Sequence, residues 1–202
     1  MDASARGCAL VAAVSPTDLL RLPNVLTLAR LGLAPFVVMA ITSGEGMLAL
    51  LLLAAAGLLD GLDGWAARRL RQKTALGAWL DPLADKVLLV GALTALYLRG
   101  LLPGWFVLTA VLRDLVIIAG VLAWVRWIGA LEIAPSRISK WTTALQIAAG
   151  LTALAASLWP VPVFFVQAMV WVAWALTVAS GIDYVVGWGR RAWRIRRSGR
   201  RS

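Results

Sequence analysis

The sequence predicts an all-α integral membrane protein: six transmembrane helices preceded by a short amphipathic interfacial helix. Composition is the first reason. Of 202 residues, 61% are hydrophobic and only 15% are charged, and the mean hydropathy is +0.82. That is more apolar surface than one soluble core encloses. The second reason is length: apolar stretches near the ~20 residues needed to cross a bilayer fall at 25–43, 47–67, 77–98, 104–125, 141–159 and 162–186. The third is charge asymmetry. Arg6, Arg21, Arg30, Arg68, Arg69, Arg71, Lys73, Arg126, Arg137, Lys140 and the tail from Arg190 to Arg201 would share one side, leaving Glu45 and Arg99 on the other. Cytoplasmic loops carry the positive excess, so both termini are expected in the cytoplasm.

Taken in order, residues 1–15 read as a leader whose apolar run is too short for a signal peptide. "PTDLLRLPN" at 16–24 reads as a segment lying on the membrane surface. The spans are separated by Ser43-Gly44-Glu45-Gly46, Arg99-Gly100 with Pro103-Gly104, Ala134-Pro135-Ser136 and Trp159-Pro160-Val161-Pro162, each with turn chemistry. The short loops make 16–189 one helical domain, followed by a basic tail at 190–202. "RRAWRIRRSGRR" in that tail suits anionic headgroups and serves equally as a topology signal. Cys8 is the only cysteine and there is no histidine, which excludes an intrachain disulfide, a zinc cluster and imidazole catalysis. The 11 tryptophans read as interfacial anchors, and no nucleic-acid partner is expected.

Four aspartates interrupt the second and third spans: Asp60, Asp63, Asp81 and Asp85. A carboxylate at membrane depth costs several kcal/mol and requires a partner. The spacings of three and four put each pair on one helix face. With a turn near Arg71 to Thr74, an antiparallel hairpin brings all four to one level, roughly 15 Å from the turn. Converging carboxylates call for hard divalent cations, Mg2+ or Mn2+, and a two-metal site is suited to a diphosphate. A single aspartate, Asp60 or Asp63, is also satisfied by pairing with Arg68 or Arg113. Gly57, Gly61 and Gly64 leave a groove open to a ligand or to another helix, and Arg68 offers a planar fork to a phosphate. Pro82 allows an alternative in which Asp81 caps a helix that starts there.

The pattern Asp60-x2-Asp63-Gly64-x2-Ala67-Arg68-x8-Gly77-x3-Asp81-x3-Asp85 resembles the CDP-alcohol phosphatidyltransferase signature at every fixed position. The resemblance implies six transmembrane helices, a homodimer, a cytidine diphosphate group in a cleft open to the cytoplasm, and two divalent metals. It makes Asp60, Asp63, Asp81 and Asp85 the metal set, with Asp81 and Asp85 catalytic and Asp85 the general base. Gly64, Ala67, Arg68 and Gly77 correspond to the nucleotide-facing positions. The implied reaction is attack of an acceptor hydroxyl on the lipid-side phosphorus of CDP-diacylglycerol, with CMP leaving, in membranes expected to be a bacterial inner membrane.

"LPNVLTLARLGLAPF" at 22–36 resembles the branch that makes phosphatidylglycerophosphate or cardiolipin. Arg113-Asp114 and "ISKWTTALQ" at 138–146 resemble the CMP-forming cardiolipin synthases, whose acceptor is phosphatidylglycerol. Lys140-Trp141-Thr142 lacks the second lysine usual in enzymes that take glycerol 3-phosphate, a phosphomonoester that favours more positive charge. Arg113, Arg137 and Lys140 are the candidate acceptor contacts; as alternatives, Arg113 pairs with Asp114 or a signature aspartate, and Arg137 and Lys140 mark the cytoplasmic side. A cation transporter is the rival from another class, since acidic residues at membrane depth also line ion pathways. Asp183 is unassigned.

Overall fold

The computed structural model describes residues 22–69, 75–127 and 137–198, and all regular structure among them is helical. Six helices follow in order: α1 Leu22–Ser43, α2 Gly46–Arg69, α3 Ala75–Leu98, α4 Gly104–Trp127, α5 Arg137–Ala156 and α6 Val163–Ser198. The leader, residues 16–21 of the interfacial segment, the turn at Arg71–Thr74 and the turn at Ala134-Pro135-Ser136 lie outside the described residues. Leu22, Pro23 and Asn24, expected at the end of the interfacial segment, already belong to α1. Pro23 is tolerated there because first-turn N–H groups have no intrahelical partner.

Glycine closes two helices. Gly44, at φ 85°, and Gly100, at φ 70°, adopt the left-handed conformation that side chains disfavour. After α1, Glu45 N–H donates to Ala40 O at 2.9 Å and Gly44 N–H to Ile41 O at 3.1 Å. After α3, Leu101 N–H donates to Leu96 O at 2.9 Å and Gly100 N–H to Tyr97 O at 2.8 Å. Both are Schellman endings, in which the glycine and the residue after it satisfy the last carbonyls.

Several boundaries differ from those expected in the sequence, α6 running on to Ser198 among them. α3 starts at Ala75 and runs through Pro82, so Asp81 is inside the helix and is not its cap. α5 begins at Arg137 and ends at Ala156, whereas the apolar pattern placed it at 141–159. Its first turn is polar, and a hydropathy window skips residues that are nonetheless helical.

The chain divides into two compact units. The first holds α1 to α3 with residues 157–159. There α1 packs on both α2 and α3. Ala49 and Ala56 of α2 and Ala84 and Ala92 of α3 are buried, and small residues of this kind let helix backbones approach. At Gly91 of α3 an added Cβ would stand 3.1 Å from Val38 of α1. The second unit holds α4 to α6, with α6 packed on α5 and on α4. Its interior is polar as well as apolar: Arg113, Asp114, Thr142, Gln146, Thr177 and Ser180 are all buried. Trp105 of α4 stacks on Trp171 of α6 at 4.8 Å between ring centroids, with Trp174 edge-on at 5.6 Å. Trp174 lies well inside α6, where its indole N–H donates to Thr109 Oγ1 at 3.3 Å, so this tryptophan ties helices together besides any interfacial role.

Three helices contain stretches long and apolar enough to cross a membrane: Asn24–Ser43, Gly104–Trp124 and Val163–Gly187. In α2 the apolar run, Gly46–Leu62, is shorter. Aspartates lower the hydropathy of α2 and α3, and arginine, lysine, threonine and glutamine lower that of α5.

Candidate active site

The site is built on the first unit, and α1 supplies a part of it that the acidic signature does not reveal. Asn24, Thr27 and Arg30 recur every three residues on one side of α1, and all are buried. Arg30 Nη1 donates to Asp60 Oδ1 of α2 at 2.6 Å and also to Asp85 Oδ1 of α3. Thr27 Oγ1 donates to Asp81 Oδ1 of α3 at 2.6 Å. Asp60 and Asp85 thus meet at Arg30, and Asp81 is held by Thr27, so the side chains that engage these three aspartates come from α1. Among the described residues, the extensive helix contacts of this unit are α1 with α2 and α1 with α3.

Burial sets the direction of approach. The Arg30 side chain is 2% exposed, whereas those of Asp60 and Asp85 are 58% and 56% exposed. The guanidinium therefore reaches the carboxylates from the protein side, and their other side is open. Asp60 pairs with Arg30 where the sequence offered Arg68 or Arg113. Reading Arg30 as one more cytoplasmic topology charge missed this role. The signal was present, since an arginine within a 22-residue, largely apolar helix needs a buried partner.

Asp63, Gly64, Ala67 and Arg68 lie on α2 and Gly77 on α3 by backbone, but their side chains are outside the described part. One turn of helix separates Asp63 from Asp60. Among the described residues, no three acidic, histidine or cysteine groups close up as a metal nest. Among the described residues, a Cβ added at Gly57 or Gly61 would have no neighbour within 4 Å.

The candidate acceptor residues belong to the second unit. Arg113 is buried, donating from Nη1 to Asp114 Oδ1 at 2.7 Å and from Nη2 to Ser139 Oγ at 2.6 Å and Ser180 Oγ at 2.8 Å. Pairing with Asp114, one of the alternatives open in the sequence, is what the structure shows. Lys140, next in the chain to Ser139, is exposed, and the Arg137 side chain lies outside the described part. Nearby, Gln146 Nε2 donates to Thr177 Oγ1 at 3.0 Å, joining α5 to α6.

A family model described as CDP-alcohol phosphatidyltransferase matches residues 20–179, which contain α1, the acidic helices and most of the second unit. The chain is 33% identical over 187 residues to a rat protein named cardiolipin synthase (CMP-forming), covering 84% of this chain and 62% of that one. A Drosophila melanogaster protein named probable cardiolipin synthase (CMP-forming) is 33% identical over 159 residues, 70% of this chain and 49% of its own. A Mycobacterium tuberculosis protein named probable phosphatidylglycerophosphate synthase is 34% identical over 177 residues, 81% of this chain and 79% of its own. The chain thus spans about half to three fifths of the two cardiolipin synthase relatives. With Asp60 and Asp85 of the signature joined at one buried arginine and the family match reaching all six helices, the chain belongs to the CDP-alcohol phosphatidyltransferase family.

Proposed function

We propose that this protein is an integral membrane phosphatidyltransferase of phospholipid biosynthesis, taking the phosphatidyl group from CDP-diacylglycerol and releasing CMP. The observation that carries the proposal is the convergence of Asp60 and Asp85 on one nitrogen of Arg30, with Asp81 held beside them by Thr27. Carboxylate oxygens that crowd around a cation and stay open on the other side suit Mg2+ or Mn2+, which prefer oxygen ligands and keep positions for phosphate. Asp60, Asp63, Asp81 and Asp85 would hold two such ions. Divalent ions held by these carboxylates would supply Lewis-acid polarisation of the phosphoryl oxygens and offset charge on the departing CMP.

The chain's own groups do the rest in this reading. The Asp85 carboxylate accepts the proton of the acceptor hydroxyl as its oxygen bonds to the lipid-side phosphorus. The bond from that phosphorus to the CMP oxygen breaks, and CMP leaves with the electron pair. Gly64, Ala67, Arg68 and Gly77 face the nucleotide. Arg137 and Lys140 meet the acceptor's phosphate, and Arg113 orders that turn of α5 through Ser139.

Phosphatidylglycerol is the proposed acceptor and cardiolipin the product. The Lys140-Trp141-Thr142 sequence and the relatives named cardiolipin synthase favour it. Glycerol 3-phosphate, giving phosphatidylglycerophosphate, is the second reading, and the mycobacterial relative supports it. All six helices are taken as spans, since even α5 with 20 residues reaches about 30 Å, the thickness of the hydrocarbon core. A homodimer in a bacterial inner membrane, with termini and site facing the cytoplasm, completes the proposal.

The test is a reconstituted assay with Mg2+ or Mn2+, CDP-diacylglycerol and each acceptor in turn. CMP release with phosphatidylglycerol and a cardiolipin product is expected. A product formed only from glycerol 3-phosphate reverses the acceptor assignment, and CMP release with neither sinks the proposal. Metal flux into vesicles lacking lipid substrate would favour a transporter instead.

A further inference from the structure

Resting on the reading of Asp60, Asp81 and Asp85 as ligands of a divalent ion, we propose that Thr27 and Arg30 of α1 are positioning residues that aim these carboxylates at it. The carboxylates belong to two helices, and both helices pack on α1. Left alone, like charges at this separation would turn away from one another. Thr27 Oγ1 fixes one oxygen of Asp81, and Arg30 Nη1 fixes one oxygen each of Asp60 and Asp85. Both donors are buried, while Asp60 and Asp85 are more than half exposed, so the donors hold the carboxylates from behind and turn their open side outward. Guanidinium is suited to the task because it stays charged and its donors are rigidly placed. Hydrogen-bonded groups behind metal ligands commonly set the affinity of the site.

The opposite effect gives the inference its test. A fixed positive charge beside the site repels an incoming cation, so a guanidinium that merely occupied the place of the ion would weaken binding. Removing a rival cation tightens the metal; removing a positioning group loosens it.

The full chain in lipid nanodiscs is titrated with Mn2+, free Mn2+ being read by electron paramagnetic resonance, and thermal stability is recorded without metal. Arg30→Gln is expected to weaken Mn2+ binding by about 10- to 100-fold and Thr27→Val by about 10-fold. Arg30→Lys, which keeps the charge, should recover part of the loss. Unchanged or tighter Mn2+ binding in folded Arg30→Gln overturns the inference, as does a loss of thermal stability at unchanged affinity, which a purely structural role would give. If Arg30→Gln does not fold, Thr27→Val decides, since it removes one hydroxyl at similar shape; unchanged affinity in it overturns the inference. Wild-type protein that binds Mn2+ alongside equally competent variants defeats this inference alone. Wild-type protein that binds none defeats the metal reading and this inference with it.

Discussion

Arg30 and Arg113 are both arginines inside apolar helices, and their partners differ in a way that matters. Arg30 is buried against carboxylates that stay open on their far side, whereas Arg113 is enclosed with Asp114 and two serines. Removing one member of an enclosed pair strands the other charge, which costs about 3–5 kcal/mol, whereas replacing both by apolar side chains is close to neutral. Arg113→Met should therefore lower the thermal denaturation temperature in detergent markedly, and Arg113→Met with Asp114→Leu should recover most of it. A single variant as stable as the wild type would show that Arg113 does not tie α4 to α5 and α6. For Asp85, Asn keeps the shape and loses the carboxylate proposed to accept the proton. Turnover of Asp85→Asn should fall by about 100-fold or more while CDP-diacylglycerol binding survives. Retained turnover removes Asp85 from the base role. That Asp81 and Asp85 share a face of α3 was legible from spacing alone, because i and i+4 positions share a face of any helix. Arg30 was not, because periodicity within one helix says nothing about which neighbour meets that face.

Among the helices, glycines separate close packing from open space. Gly91 on α3 faces Val38 on α1 at 3.1 Å from an added Cβ, so Gly91→Leu would wedge the two helices apart at a cost of about 1–3 kcal/mol. Gly61 on α2 has room for a side chain. Gly61→Ala should leave the denaturation temperature unchanged or slightly raised, alanine being the better helix former by about 1 kcal/mol. Its KM for CDP-diacylglycerol should rise if, as proposed, the nucleotide lies beside Asp60, because the methyl group would then crowd it. Kinetic measurement with a melting curve on the same sample checks both; a destabilised Gly61→Ala with normal KM would mean that a helix, and not a ligand, approaches there. The existence of the helices and the glycine turns between them followed from sequence. The start of α5 and the far end of α6 did not, since charged turns of a helix are invisible to hydropathy while their backbone hydrogen bonds continue unbroken.

For the molecule as a whole, the proposed orientation, which rests on the charge asymmetry of the sequence, would put the α1–α2 turn and the start of α5 on opposite sides of the membrane. Glu45 and Lys140 are both exposed and serve as markers. With Cys8 replaced by serine, single cysteines at these positions should react with an impermeant maleimide from opposite sides of sealed vesicles. Labelling of both from one side would overturn the orientation.

The 36 residues of α6 form one uninterrupted rod of about 54 Å, against a hydrocarbon core of about 30 Å. Its final turns include the backbone positions of Arg190, Arg191, Arg194, Arg196 and Arg197, continuous with the apolar part of the same helix. Deleting two residues just after Gly187 would lower those arginines by only about 3 Å yet swing their azimuth by about 160°. For anything that engages them, compass heading would therefore change far more than altitude.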